Sequence, residues 1–193
     1  MNRRSLLQIT ALAGVSLSLT GCGSELIADY NQKIRVTVIT PEGEKSGSAV
    51  THIETRLGAG KMTQSTIKGE ATVVDLGQGK YLFALLSENT QRLSHIVFPD
   101  NQGKGQDPKE IPQGKVAKGV EPYSVFPLLV TFDDLNDPKS VKEVNPANLA
   151  ATFGAGYSHK STTLEITNEP VTEGGGGETT TLVVHCSHAT YFH

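Results

Sequence analysis

The feature that most constrains the fold is a set of short segments in which apolar and polar residues alternate. In residues 33–40, Ile34, Val36 and Val38 fall on one face and mainly polar residues on the other. This period of two is typical of a β-strand with one buried face. Further strands are predicted at residues 48–57, 69–76, 80–86, 126–132, 162–167 and 179–186. We therefore expect a mainly β (α+β) domain with an antiparallel sheet or sandwich of about six strands.

The segments between the strands also carry information. Pro41-Glu42-Gly43-Glu44 has turn chemistry, so the strands on either side of it are expected to form a hairpin. Residues 80–86 are an almost unbroken apolar run, which is typical of a central strand buried on both faces. Residues 100–122 are rich in glycine, proline and charge and show little periodicity, so they are predicted to form a long surface loop.

Two short helices are predicted near residues 138–153. Asp137 and Asn145 each directly precede a proline, which places a capping side chain before a proline at the first helical position. The second helix is expected to cover residues 146–153. It should end at Gly154, because glycine readily adopts the left-handed conformation that terminates helices.

The N-terminal segment has the pattern of an export signal. Arg3 and Arg4 form a positive region, residues 6–19 are largely apolar, and small residues precede Cys22. The apolar stretch is interrupted by polar and small residues, whereas a membrane-spanning helix needs about 20 mostly apolar residues. Residues 1–21 are therefore predicted to be a cleaved signal peptide.

The tetrapeptide Leu19-Thr20-Gly21-Cys22 resembles a bacterial lipobox, in which Leu, a small residue and Gly or Ala precede an obligatory Cys. The resemblance implies that Cys22 becomes the mature N-terminus, carrying a thioether-linked lipid and usually a third acyl chain such as palmitate on its amine. Two or three chains anchor stably, since each buried methylene contributes about 0.8 kcal/mol. Gly23 is not the Asp that retains lipoproteins in the inner membrane, so an outer-membrane protein facing the periplasm is expected.

The export route stays open between two pathways. Residues 2–8 also resemble a twin-arginine motif, which pairs two arginines with apolar residues two and three positions later. A twin-arginine substrate would fold before export, whereas an ordinary Sec substrate would not. Both fit residues 1–21.

Composition excludes several functional classes. Without Arg3 and Arg4 the chain keeps 15 basic against 20 acidic residues, a net charge of −5 with His neutral. This mildly acidic balance does not suit a nucleic-acid partner. The chain has no Trp and only 5 Tyr and 6 Phe, which argues against a large aromatic platform for carbohydrate.

Several segments resemble an uncharacterised family of bacterial envelope proteins of unknown function. They are residues 127–131, 132–141, 144–154 and 168–172, with an opening hairpin at 35–48. The resemblance covers about residues 33–172 and implies an envelope module without an assigned activity. The predicted organisation is a signal peptide at 1–21, a lipidated tether at 22–32, a β-rich globular domain at 33–172, and a Gly-rich linker with a His-containing tail at 173–193.

The sharpest chemical cluster is in that tail and comprises His185, Cys186, His188 and His193. Imidazole and thiolate ligands suit zinc or copper. Because Cys22 is assigned to lipid, Cys186 has no intrachain disulfide partner and is a free thiol, an intermolecular disulfide or a ligand; as a free thiol it is expected to be buried as a small apolar side chain. On an extended strand Cys186 and His188 would share a face while His185 pointed away, so three ligands could converge only at a turn.

Other motifs do not meet their chemical requirements. Residues 58–63 lack the first glycine and the Ser or Thr of a phosphate-binding loop, and residues 133–144 lack the glycine and final Glu of an EF-hand. The chain has no Gly-x-Ser-x-Gly elbow. We therefore predict a non-catalytic binding or scaffold module without a cofactor, with a protein partner at a sheet edge or at loop 100–122. The alternative is a metal-binding or enzymatic lipoprotein that uses the C-terminal cluster.

Overall fold

The structure is a computed structural model. It describes residues 24–58, 62–86, 90, 93–94, 97–98, 107, 110–111, 116–118, 127–173 and 180–186, with only the backbone for 116–118 and 180–186. Within these residues the chain is mainly β, with two antiparallel sheets and very little helix, which confirms the predicted β class. No helix in these residues is long and apolar enough to cross a membrane.

The larger sheet, called the large sheet below, has six strands among the described residues. In chain order they are β1 (Glu25–Thr40), β2 (Gly43–Leu57), β3 (Thr63–Gly69), β6 (Val116–Lys118), β9 (Ser158–Thr167) and β10 (Thr180–Cys186). Their spatial order is β10-β3-β2-β1-β9-β6. The predicted hairpin is confirmed, because β1 and β2 pair from Glu25 opposite Leu57 to Thr40 opposite Gly43.

The second sheet, the small sheet, has four described strands in the order β4-β5-β7-β8. They are β4 (Thr72–Gly77), β5 (Lys80–Ala84), β7 (Leu129–Phe132) and β8 (Val141–Glu143). Gly77 pairs with Lys80 across Gln78-Gly79, whose φ angles of 55° and 74° are those of a tight hairpin turn. β5 lies between β4 and β7, which confirms the central position predicted for residues 80–86.

The chain passes from the large sheet to the small sheet at Gly69. This glycine has φ +135°, which favours glycine, and a Cβ here would be 3.0 Å from the Val50 carbonyl oxygen. The two sheets also approach closely at Gly47, where a Cβ would be 1.8 Å from the Val73 carbonyl oxygen. Val36 of β1 and Leu82 of β5 belong to one core, to which both sheets contribute.

β1 begins eight residues earlier than the strand predicted at residue 33. Ala28, Tyr30 and Gln32 continue the buried alternation backward from Ile34, and Gln32 is completely buried. A buried glutamine interrupts the apolar pattern, so the sequence does not reveal this part of the strand. Residues 25–32, assigned to the tether in the sequence analysis, therefore belong to the folded sheet.

The C-terminal boundary of the domain also moves. The strand predicted at residues 179–186 is confirmed as β10, and it pairs with β3 from Thr180 opposite Gly69 to Cys186 opposite Thr63. The sheet therefore extends past residue 172, although residues 173–193 were predicted to be a linker and tail. At the other edge, three residues of the predicted loop 100–122 form β6 and pair with β9.

The two predicted helices are shorter than expected. The first is a 3-10 turn, Pro138–Ser140, in which the Asp137 carboxylate accepts a hydrogen bond from the Lys139 amide. The second is a single turn, Ala150–Phe153, ending at Gly154 as predicted. Residues 146–149 do not join it: Asn145 Oδ1 accepts from the Ala147 amide in a local turn, and Asn148 Oδ1 accepts from the Ala151 amide at the start of the helix.

Candidate functional site

The outer face of the small sheet is apolar. In β5, Leu82 and Ala84 enter the core, so Tyr81 and Phe83 lie on the opposite face. The register extends this face to β4, β7 and β8, because Val73 pairs with Phe83, Phe83 with Val130, and Phe132 with Val141. Leu128 lies two positions before Val130. We call this surface the apolar face; its residues are Val73, Tyr81, Phe83, Leu128, Val130, Phe132 and Val141.

The centre of the apolar face is packed and its periphery is exposed. The rings of Phe83 and Phe132 meet edge to face with centroids 5.3 Å apart, a favourable aromatic geometry. Val130 is only 3% exposed, whereas Val73, Leu128 and Val141 are 42%, 44% and 45% exposed. Single exposed apolar side chains are ordinary, but a contiguous exposed group is typical of an interaction site.

Acidic side chains border this face. Asp75 pairs in register with Tyr81, and Glu143 with Val130, and both carboxylates are exposed. Each acid therefore lies at an edge strand, beside the aromatic centre. A partner with apolar groups at its centre and cationic groups at its periphery would complement this arrangement.

A cleft of about 410 Å³ shares Phe132 with the apolar face and Glu143 with its acidic border. Lys80 spans one wall: its ammonium donates to the Phe153 carbonyl at 3.1 Å and lies 5.0 Å from the centre of the Tyr157 ring. The lysine thus satisfies a carbonyl at the end of the short helix and makes a cation–π contact. The other lining residues are Gly79, Thr131, Asp133, Lys142, Ala151 and Thr152.

Several polar groups in the cleft already have partners. Lys142 forms an ion pair with Asp133, and the Thr131 hydroxyl donates to the Tyr81 carbonyl at 2.8 Å. A nucleophile needs a base within hydrogen-bond reach, and the described lining residues include no His or Cys. Lys80, Thr131 and Lys142 alternate with Tyr81, Phe132 and Val141, so the cleft opens on the opposite side of the small sheet and meets the apolar face at Phe132.

The outer face of the large sheet is polar. Asn31 and His52 pair across β1 and β2, with His52 Nδ1 2.9 Å from Asn31 Oδ1. His52 Nε2 lies 3.7 Å from the Asp29 carboxylate. On the same face the Arg56 guanidinium donates to Glu54 at 2.7 Å, and this hydrogen bond lowers the pKa of the Glu54 carboxyl.

A segment of the chain also crosses this polar face. After β9, Asn31 Nδ2 donates to the Glu169 carbonyl at 2.9 Å, and the Lys33 ammonium donates to the Glu169 carboxylate at 2.7 Å and 2.8 Å. The Thr172 amide then donates to the Val50 carbonyl on β2 at 3.0 Å. Residues 168–172, called the crossing segment, therefore pass over β1 to β2 and bury Val50, which is 4% exposed.

A polar layer lies inside the core beneath β1. The Tyr30 hydroxyl is 2.8 Å from the Ser94 hydroxyl, and Gln32 Nε2 donates to the Thr90 carbonyl at 2.9 Å. Burial raises the pKa of Tyr30 to about 12; the Ser94 hydrogen bond opposes this rise and Asp107 adds to it. Gln32 Oε1 and the hydroxyl of Thr51, its register partner, make no hydrogen bond within the described structure.

The residues predicted for lipidation lie outside the described part of the chain. They are Arg3, Arg4, Leu19, Thr20, Gly21 and Cys22. The proposed metal ligands are only partly described, because His188 and His193 also lie outside it. The backbone places His185 opposite Gln64 and Cys186 opposite Thr63. Among the described side chains no three His, Cys, Asp or Glu are grouped to hold a metal ion, so the C-terminal cluster stays a prediction.

The apolar face was not predicted as a site, although its signal is present in the sequence. The apolar run at 80–86 indicated burial on both faces of its strand. The structure buries the face with Leu82 and Ala84 and leaves Tyr81 and Phe83 only half-buried. The apolar run therefore predicted the position of the strand correctly, but burial on both of its faces was wrong. The half-buried rings of Tyr81 and Phe83 belong to the apolar face.

Comparison with known proteins adds no relative from which a role could be transferred. No protein-family model, curated protein or solved structure matches the chain. The envelope family predicted from sequence therefore stays a prediction.

Proposed function

We propose that this chain is a lipid-anchored cell-envelope protein whose domain is a non-catalytic binding module, with the apolar face as the site for a protein partner. The observation that carries the binding role is the exposure of Val73, Leu128 and Val141 around a packed aromatic centre. Such a face is costly to leave in water, because each square ångström of apolar surface contributes about 25 cal/mol when it is buried.

The size of the apolar face fits the centre of an interface. Four strands about 4.8 Å apart, with side chains on one face about 7 Å apart along each strand, give an area of roughly 200–300 Å². A standard interface buries about 800 Å² on each partner. The partner would therefore also cover the acidic border, with Asp75 and Glu143.

The anchor is supported by the lipobox-like Leu19-Thr20-Gly21-Cys22 and by its position ahead of the first strand. Cys22 would carry the lipid and hold the domain at the membrane surface, facing the periplasm. Gly23 favours the outer membrane. With such an anchor, the domain would present its partner-binding surface while held at the envelope.

The binding role is tested by photo-crosslinking in cells. A photoreactive amino acid replaces Val73 or Val141 on the apolar face, and Arg35, exposed on the outer face of the large sheet, serves as the control position. We expect both face positions to yield the same adduct and Arg35 to yield none. Val141→Glu should remove the adduct at position 73 without changing thermal unfolding. Equal adducts at Arg35, or none at Val73 and Val141, would contradict the proposal.

The anchor is tested separately by Cys22→Ser. The unaltered chain should fractionate with membranes and have a mass that includes the lipid. The variant should be released in soluble form or stay unprocessed. A variant that still fractionates as a processed, lipidated protein would show that the anchor is assigned wrongly.

A further inference from the structure

Exposed apolar side chains lie at the end of the large sheet where β1 begins. Leu26 is 38% exposed and Met62 is 50% exposed. Leu26 pairs with Arg56 on β2, whereas the half-buried Leu57 pairs with Glu25 and Thr63 and therefore lies on the opposite face of the sheet. Met62 precedes Thr63, so Leu26 and Met62 share one face, with Arg56 between them. The Gly58 amide donates to the Met62 carbonyl at 2.8 Å and closes the β2–β3 turn. Leu26 and Met62 are thus two strand spacings apart, roughly 10 Å.

The same end lies next to the predicted lipidation site. Leu26 is four positions after Cys22, and a fully extended chain of that length spans at most about 14 Å. β1 is paired with β2 from Glu25 onward, so the sheet itself begins three residues after Cys22. Lipid chains on Cys22 would therefore hold this end of the sheet at the bilayer surface.

We propose that Leu26 and Met62 enter the interfacial region of the bilayer that holds the acyl chains of Cys22. This inference rests on the proposed lipid anchor and adds a second, non-covalent contact with the membrane. Apolar side chains at a membrane surface lie at the boundary between headgroups and acyl chains, where their burial strengthens binding. The occupant of this patch is thus the lipid surface, because the tether is too short to hold the patch away from it.

This contact would also orient the domain. β1 has 16 residues, and at about 3.3 Å per residue its far end lies up to about 50 Å from its start. At that far end Gln78 Nε2 donates to the Glu42 carboxylate at 2.9 Å, which places the β4–β5 turn beside the β1–β2 turn. Gly79 in the same turn lines the cleft. The cleft would therefore face away from the membrane.

Fluorescence of a single label tests the contact in the full, lipidated protein. In a Cys186→Ser background, Met62→Cys carries an environment-sensitive dye, and Leu135→Cys is the matched control. Leu135 is 55% exposed and follows β7 at the far end of the molecule. In phosphatidylethanolamine–phosphatidylglycerol vesicles, spin-labelled lipid should quench the dye at position 62 at least about twofold more than the dye at 135. Iodide in the aqueous phase should instead quench the dye at position 135 more than the dye at position 62.

The outcomes separate this inference from the anchor on which it rests. If the chain has the lipid mass and stays on the vesicles, but iodide quenches both positions equally, the membrane contact is wrong and the anchor stands. If Cys22 carries no lipid or residues 1–21 remain, the anchor fails and the inference fails with it. Intact-protein mass spectrometry of the vesicle-bound sample distinguishes the two cases.

Discussion

The outer faces of the two sheets differ in how the chain itself covers them. On the large sheet, Asn31 and Lys33 bind Glu169 of the crossing segment, and Val50 is buried beneath that segment. On the small sheet, Val73 and Val141 stay more than two-fifths exposed beside Phe83 and Phe132. The first face is completed by hydrogen bonds within the protein. The second is apolar and exposed, which is why we assign the binding role to it.

The two sheets have distinct outer faces because their inner faces pack closely against each other. A substitution at Gly47 should disturb this packing more than any other change considered below. A Cβ at Gly47 would lie 1.8 Å from the backbone oxygen of Val73, which cannot move without moving β4. We expect Gly47→Ala to destabilise the fold by about 3 kcal/mol or more. Gly58→Ala is the control, because its nearest contact would be an ordinary 3.6 Å. Equal denaturant midpoints for the two variants would contradict this packing.

Substitutions on opposite faces of the small sheet should separate stability from binding. Leu82 is completely buried, so Leu82→Ala should cost about 2–5 kcal/mol in the free energy of unfolding. Val141→Ser, at a side chain 45% exposed, should cost only about 0.5 kcal/mol and yet remove partner crosslinking at Val73. Urea denaturation and crosslink yield measure the two effects. A Val141→Ser protein with unchanged crosslinking would contradict the binding role.

Tyr30 gives the buried face of the large sheet a pH dependence. Its pKa of about 12 in the folded protein is above the ordinary value of 10.0, so the folded state holds the phenolic proton more tightly than the unfolded state. Its stabilising contribution is complete below pH 10 and is lost as the pH rises towards 12, at up to about 1.4 kcal/mol per pH unit. Tyr30→Phe should reduce this slope. Identical slopes in the two proteins would contradict the assignment.

The ion pair that holds the crossing segment should have the smallest effect. Lys33 is mostly buried but Glu169 is 51% exposed, so solvent screens the pair. We expect Lys33→Met and Glu169→Gln to show a coupling of about 0.5–1 kcal/mol in a double-mutant cycle, reduced at high salt. Crosslinking from the apolar face should not change in either variant. A loss of crosslinking there would mean that the two faces are not independent.

The local pattern of the sequence predicted much of this fold. Alternation at residues 33–40, the turn after residue 40 and the apolar run at 80–86 correctly indicated β1, the hairpin and a central β5. β3 was missed, because Ile67 is its one large apolar side chain and the buried Ser65 does not look like a core residue. The first half of β1 was missed for a similar reason, because the buried Gln32 does not look like a core residue.

Features that depend on distant parts of the chain could not be predicted in this way. Residues 179–186 look like a strand, but only the pairing with β3 places them in the large sheet. The apolar face has the same origin, since alternation in β5 cannot show which of its two faces enters the core and which stays partly exposed. The polar outer face of the large sheet is likewise completed by Glu169, more than 130 positions after its partners Asn31 and Lys33.

The most direct test of the account compares the solvent access of the two outer faces in the cell. The test uses a Cys186→Ser background. Val141→Cys reports on the apolar face and Ser48→Cys reports on the outer face of the large sheet. Val141 and Ser48 are both exposed. Each cysteine is labelled with a maleimide in intact envelopes and in the purified protein. The account predicts that labelling at position 141 is several-fold slower in the envelope, with position 48 unchanged. Equal rates at position 141 in the two samples would contradict it.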